Sequence, residues 1–345
     1  MIRICTTLAE AGYKVTIIGF RKKSSPPLSK RPYRQLRLPI VVEKSKLMYA
    51  DFWTKLFFRL MTIKADIFCA IDLDTILPVY YASILRNKKR IYDAHELFTE
   101  LKEVTTRPAV AKMWNWIERK TVPNFPGYTV GEGCAKYFLD KYGVHYGVVR
   151  SATVLRPIEI PEKKEKYILY QGSVNVGRCF EELIPAMKWV HAPLIVCGEG
   201  NFYKEAQELA KVHGVEDKVI FKGYVPPEKL RDYTLHAWVG VTLFEPESKS
   251  NQNSLANRFF DYMHHGVPQL CAGYFEYKRI NETYEISCLI QDLEPSTIAA
   301  ALNRLLEDEA YHKRLQDNAL EARKVYCWQE EAKTLLKIYD EFAGS

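Results

Sequence analysis

Short apolar runs alternate with amphipathic stretches along the 345 residues. RICTTLAEAGYKVTIIGF predicts a helix over 3–11, a stop at Gly12 and a buried strand from Val15 to Phe20. A basic, proline-containing loop follows. Residues 46–62, KLMYADFWTKLFFRLMT, predict a helix with Tyr49, Phe52, Trp53, Leu56, Phe57 and Leu60 on one side. Strands are expected at 65–71, 89–93, 128–130 and 145–150, with helices near 74–86, 107–121 and 131–143. SATVLRPIEIPEKKEK carries two prolines and a charge run and reads as a linker. The alternation then restarts, with strands at 167–172, 193–198, 218–223, 237–244, 268–272 and 288–291. Helices separate them at 180–190, 202–213, 227–236 and from near Ser254, and further helices run from Ser296 to the end. This order predicts parallel α/β layering in two domains. Ligands of such sheets bind at the carboxyl ends of the strands, in a cleft.

Charge divides along the same line. Residues 1–150 hold 26 Lys/Arg and 13 Asp/Glu, a net of +13, whereas residues 151–345 hold 23 and 29, a net of −6. The first half is therefore expected to meet an anionic ligand or surface. No zinc-finger, RNP or helix-turn-helix pattern supports nucleic acid as that partner. The eight cysteines contain no C-x-x-C pair and read as reduced core thiols. No run approaches the roughly 18 to 20 apolar residues of a membrane span, and Met1-Ile2-Arg3 leads straight into a helical pattern without a signal peptide. A cytoplasmic protein is expected, touching a membrane only peripherally, at the inner face.

Candidate chemistry follows the strands. In SNQNSLANRFFDYMHHGVP (250–268), a helix from near Ser254 puts Leu255, Phe259, Tyr262 and Met263 on a core face. Ser254, Asn257 or Arg258, and Asp261 fall on the other. Its tip offers backbone N–H groups to an anion, and Asp261 is placed to accept from a ribose diol. A capped structural helix is the alternative reading. His264 and His265 are adjacent, so they point about 100° apart and do not share an ion; no metal site is expected. YQGSVNVGRCFEELIPAM (170–187) ends a strand at Gly172 and brings Ser173 and Arg178 ahead of a helix. CGEGN (197–201) supplies Gly198 and Gly200 in a second strand-to-helix turn. RIYDAHELFTE (90–100) gathers Asp93, His95, Glu96 and Glu100, where a histidine is suited to bind or deprotonate a hydroxyl.

With these segments in order, the chain resembles retaining glycosyltransferases of the GT-B fold, the "group 1" family 4, in a bacterial subgroup. SLANRFFDYMHHGVP is similar to the family's S-L-P-N-K-x-F-[ED]-Y-x-x-x-G-x-P segment, and FKGYVPPEKL (221–230) to its F-x-G-x-V-x-x-x-x-L segment. YDAHELFTE and YQGSVNVGRCFEELIPAM resemble its acceptor-side histidine segment and its phosphate loop. The resemblance implies two doubly wound Rossmann-like domains facing a cleft: an acceptor domain over 1–152, a linker over 153–166 and a nucleotide-sugar domain over 167–325. It implies a C-terminal helix over 326–345 packing back on the first domain.

The implied activity is a metal-independent hexosyl transfer, with retention, from a nucleotide-diphosphate sugar to a glycan or lipid-linked acceptor of surface polysaccharide. His95, Arg178 and Asp261 take the catalytic roles. Donor contacts fall to Gly172, Ser173, Gly198, Gly200, Tyr224, Val225, Asn253, Ser254, Leu255, Asn257 and Asp261, and acceptor contacts to Asp93, His95 and Glu96. Asn253 stands where many members carry Glu, and Ser173 where an Arg is common. The family usually opens with a further strand, so the first sheet is expected to lack its central one. A sugar-nucleotide epimerase of the same fold, or a truncated, non-catalytic sugar-nucleotide-binding protein, are the competing readings. Basic loop 21–37 and aromatic helix 46–62 are candidates to rest on an anionic membrane surface.

Overall fold

The structure, a computed structural model, describes residues 1–43, 46–162 and 165–344. The chain forms two compact units, Met1–Arg150 with Glu331–Ser345, and Ser151–Glu330. Positions 163 and 164 of the expected linker, and Ser345, lie outside the described residues.

The first unit runs α1 (Ile2–Glu10), β1 (Thr16–Arg21), β2 (Arg34–Pro39), α2 (Lys46–Thr62), β3 (Ile67–Ile71), α3 (Leu73–Leu85) and β4 (Lys89–Ala94). It continues with α4 (Lys102–Thr105), α5 (Pro108–Thr121), β5 (Gly127–Thr129), α6 (Glu132–Tyr142) and β6 (Gly147–Val148). Its described strands make two parallel sheets, β1–β2 and β3–β4–β5–β6. Strand β2 lies inside the segment expected to be a basic loop. RQLRLP alternates leucine with charge and ends in proline, as suits an edge strand, and it pairs with β1 from Thr16↔Arg34 to Arg21↔Pro39. The preceding loop folds back on this strand, with Gln35 Nε2 donating to Ser29 O at 2.6 Å.

Helix α2 packs its aromatic side inward, against the expectation that it lies on a membrane. Phe52, Leu56 and Leu60 are buried, and Tyr49, Trp53 and Phe57 pack against the same core. Tyr49 and Trp53 meet the buried Trp114 edge-on, at centroid distances of 5.5 and 5.9 Å. Only Leu47 and Phe58 of this helix remain largely exposed hydrophobics. Burial of this many large rings against α3 and α5 outweighs any gain from a headgroup interface.

The second unit runs β7 (Ile168–Gln171), α7 (Phe180–Ala186), β8 (Leu194–Cys197), α8 (Tyr203–Val212), β9 (Val219–Gly223), α9 (Pro227–His236) and β10 (Val239–Thr242). Then come α10 (Lys249–Asn253), α11 (Asn257–His264), β11 (Gln269–Ala272), α12 (Phe275–Tyr284), β12 (Ser287–Ile290), α13 (Pro295–Glu307) and α14 (Glu309–Val325), and α15 (Trp328–Gly344) starts in this unit and continues as part of the first. Helix α7 stops short of the expected 190: Pro185 has no N–H to give, and the chain leaves the helix after Ala186. The six strands form one parallel sheet ordered β12–β11–β10–β7–β8–β9. The chain winds outward from β7 to β9, returns to β10 on β7's other side, and winds outward again. The switch point therefore lies between β7 and β10, where a doubly wound sheet opens a crevice for a ligand.

Helix α15 passes from one unit to the other. Trp328 N–H donates to Thr153 O, whereas Tyr339 is buried, with its ring 6.3 Å from that of Tyr128. All eight cysteines are free thiols, buried except for a half-buried Cys69. No described helix is long and apolar enough to cross a membrane.

Candidate active site

Beside the switch point, the chain ends of β7, β8 and β9 pack backbone on backbone. Gly172 N–H donates to Cys197 O, and Gly198 N–H to Gly223 O. A Cβ on Gly198 would stand 1.8 Å from Gly172 O, and one on Gly200 2.2 Å from Val174 O. These two glycines, expected to approach the donor, are thus required for the loops to approach each other. Gly172 differs: its backbone is at φ +126°, and a Cβ there would meet only Arg258 Nη1, at 3.5 Å. Asn175 and Asn201 close the pair of loops reciprocally, each side-chain oxygen accepting a backbone N–H from the other loop.

Arg258 was only one of two alternatives on the helix face, and it is the buried one; Asn257 is exposed. Its Nε and Nη2 donate to Val241 O at 3.1 Å and Leu243 O at 3.3 Å, capping the end of β10. Its guanidinium lies 4.6 Å from the centroids of both Tyr170 and Phe244. Arg178 also sits over the Phe244 ring, at 4.5 Å. Two guanidinium groups thus share one aromatic platform beside Gly172. Arg258 Nη1 makes no hydrogen bond among the described residues.

The polar helix begins later than expected. Ser254 is extended (φ −122°, ψ 161°) between α10 and α11, and the first turn of α11 starts at Asn257. Ser254 Oγ donates to Ser250 O, and Asn253 Nδ2 to Lys249 O, so both side chains turn back onto α10. Leu255 is buried in the core. The helix's outward N–H groups are those of its first turn, after Ala256, rather than those at Ser254 and Leu255.

Asp261 is engaged within its own unit. Its Oδ1 accepts from Thr153 Oγ1 at 2.7 Å and its Oδ2 from Gln171 Nε2 at 3.0 Å. Gln171 Oε1 in turn accepts from Thr234 Oγ1. The aspartate therefore fixes residue 153, the end of β7 and α9 together. His264 Nε2 meets Tyr326 O and His265 Nδ1 meets Asp261 O, so the two rings serve different carbonyls. Tyr224 is exposed, and its N–H is taken by Glu199 Oε1 at 3.3 Å; Val225 follows it, half-buried.

In the first unit, Asp93 lies near the end of β4, and His95 and Glu96 follow it. Asp93 is buried, and its Oδ2 lies 3.2 Å from His95 Nε2. Asp72, just past the end of β3, joins this group, and Asp74 follows in the first turn of α3. Asp72 Oδ1 accepts from His95 N–H at 2.8 Å, with the Asp72 backbone at φ 54° and ψ 170°. Burial pushes the Asp72 carboxyl up, against the pull of His95, and pushes Asp74 up to about 6. Burial pulls the His95 imidazole down, but the Asp93 bond and charge, with the Asp72 charge, outweigh it and leave His95 raised. Phe244, Gln171, Thr153 and Asp72 escaped the sequence reading, which left Arg258 as one of two alternatives. A polar Gln171 ending an apolar strand was the one visible signal; Thr153 carries none.

Residues 153–322 match the family described as "Glycosyl transferases group 1". That match covers most of the second unit. An uncharacterized glycosyltransferase of Methanocaldococcus jannaschii is 25% identical over 182 residues, 51% of this chain and 45% of the relative, so the match spans less than half of that protein. Among solved structures, sucrose-phosphate synthase from Thermosynechococcus elongatus superposes at TM-score 0.84 with 18% identity, over 99% of this chain and 92% of its own. WaaG, a glycosyltransferase involved in lipopolysaccharide biosynthesis, reaches 0.68 at 14% identity, over 99% and 95%. Anabaena HepE in complex with UDP and glucose reaches 0.72 at 12% identity, over 91% and 87%. The fold is α/β of the GT-B class.

Proposed function

We propose that the protein transfers a hexosyl group from a nucleotide-diphosphate sugar to a glycan or lipid-linked acceptor, with retention and without a metal. The observation that carries this reading is the pair of guanidinium groups over Phe244, beside Gly172, at the switch point of the second unit. A departing diphosphate needs preorganised positive charge more than it needs any other group. Two arginine forks, one buried and held by strand-end carbonyls, supply it. The C1–O bond to the phosphate breaks as the acceptor oxygen bonds C1, and the acceptor proton passes to the departing phosphate oxygen. Arg178 and Arg258 hold the diphosphate, Asp261 receives the ribose, and the backbone at Tyr224 and Val225 meets the base. Asp93, His95 and Glu96 serve the acceptor. Support for the donor class comes from the group 1 match and from the UDP bound to HepE.

A thermal-shift screen of UDP-, GDP- and ADP-sugars tests the reading. One donor is expected to raise the melting temperature of the wild type, and Arg258→Ala to weaken that donor by about 2 kcal/mol. If no nucleotide sugar stabilises the protein, the reading is wrong. An epimerised sugar from donor alone would indicate an epimerase, and binding without turnover a non-catalytic protein.

We also propose that the protein works in the cytoplasm, against the anionic inner face of a membrane. Support for this lies in the basic first half and in an exposed cluster on α3 and α5. There Tyr81, Ile84, Leu85 and Trp116 are exposed, and Lys120 Nζ stands 5.4 and 5.1 Å from the Tyr81 and Trp116 rings. Aromatic rings with lysine suit the headgroup region.

A further inference from the structure

We propose that Asp72 is a positioning residue for His95: its turn and its carboxylate hold the backbone that carries the imidazole, whose Nε2 faces Asp93 and whose Nδ1 is left to the acceptor hydroxyl. The inference rests on the transferase reading for the nature of that hydroxyl, but its geometry stands within the first unit alone.

The backbone of Asp72, at φ 54° and ψ 170°, occupies a region that residues other than glycine avoid. Hydrogen bonds on both flanks hold it there. Asp72 N–H donates to Asp93 O at 2.9 Å, and Asp72 Oδ1 accepts from His95 N–H at 2.8 Å. On the other flank, Ile71 N–H donates to Thr75 Oγ1 at 2.8 Å, which returns its proton to Ile71 O at 2.7 Å. β3 and β4 are already neighbours, with Ile71 paired to Asp93. Asp72 extends that pairing past the strand ends, into the loop that carries His95. Glycine would adopt this turn without strain but would have nothing to hold the His95 amide. The aspartate keeps the strain and adds the acceptor, and strain concentrated beside a candidate catalytic group is itself a pointer to function.

Only one nitrogen of the ring has neighbours among the described residues. Nε2 faces Asp93 Oδ2 at 3.2 Å and Met1 Sδ at 3.2 Å. Nδ1 makes no hydrogen bond among the described residues, and the side chain is 25% exposed. The carboxylates acting on the ring are Asp93 and Asp72; the groups acting on Asp72 are His95, Glu96 and Asp93. Asp72 and His95 therefore titrate as a pair. Both hold protons more tightly in the folded protein. Their contribution to stability is present at acid pH and is lost as the pH rises from the ordinary carboxylate range through neutrality.

The test uses Asp72→Asn, which keeps an acceptor oxygen for the His95 amide but not the charge, and Asp72→Gly, which keeps only the turn. The His95 ring is followed by NMR, assigned with His95→Gln. Its pKa is expected to fall by about one unit in both variants. Asp72→Gly should melt no lower than wild type, because the turn is relaxed. kcat should fall about 10- to 100-fold in Asp72→Gly, with the donor KM within about twofold. The melting temperature of wild type should drop between about pH 5 and pH 8 by more than that of Asp72→Asn. An unchanged His95 titration in Asp72→Asn overturns the proposal, as does wild-type kcat in Asp72→Gly. Should Asp72→Gly not fold, Asp72→Asn alone decides by the His95 titration. If wild type turns over no donor, the transferase reading falls separately, and the titration still decides the role of Asp72.

Discussion

Two residues separate holding the protein together from binding a ligand. A methyl group at Gly198 has no room, since Gly172 O would lie 1.8 Å away, and the backbone is at φ +151°. Gly198→Ala should therefore cost about 3 kcal/mol or more, read as a lowered denaturant midpoint. A wild-type midpoint would show that the loops are not packed as described. Asp261 is subtler, because it joins Thr153 to Gln171. Asp261→Ala leaves the buried Gln171 amide without its acceptor and should destabilise by about 2 kcal/mol even without donor. Asp261→Asn should lose less stability. If Asp261 also holds the ribose, Asp261→Asn still weakens the donor; equal donor affinity in Asp261→Asn would remove it from the site.

Helices and strands show where pattern and position part. The aromatic side of α2 was legible as one face, but a face alone does not name what covers it. Its neighbours are α3 and α5, with Trp53 Nε1 donating to Asp74 O and Trp114 at its rings. Phe52→Ala should cost about 3 kcal/mol, whereas Phe58→Ala, at an exposed position on the same helix, should change stability by about 0.5 kcal/mol or less. Comparable losses at the two positions would contradict the burial of that face. The sequence reading began this helix near Ser254, so it missed both the short α10 before that point and the extended residues up to Ala256. The interruption comes from Ser254 turning its hydroxyl to Ser250 O and from Tyr277 Oη accepting the Ala256 amide, a partner 21 residues away. Strand β2 was missed because an edge strand needs little apolar surface, and its partner β1 supplies the ladder.

For the whole molecule, charge and exposed surface converge on the first unit. With the aromatic face of α2 in the core, the surface proposed to meet a membrane is that of Tyr81, Leu85, Trp116 and Lys120 on α3 and α5. Flotation with phosphatidylglycerol vesicles at low salt should carry wild type upward, and a Trp116→Ala, Leu85→Ala, Lys120→Ala triple variant should stay behind. Equal flotation of the two would place the contact elsewhere, and no flotation of wild type would end the membrane reading.

By itself the sequence determined the alternation of parallel α/β elements, the two-part charge, the strand-end location of the polar segments and the core face of the helix that ends in His264. Each follows from local periodicity or composition, which a chain carries before it folds. Tertiary structure decided which polar residues face a site and which face one another. Asp261 and Gln171 lie 90 positions apart, and Arg258 meets Tyr170 across the sheet from 88 positions away. Whether Gly198 serves a ligand or a neighbouring loop, and whether α2 faces lipid or core, depends on contacts that no local pattern encodes. Burial and hydrogen bonding are properties of the assembled layers.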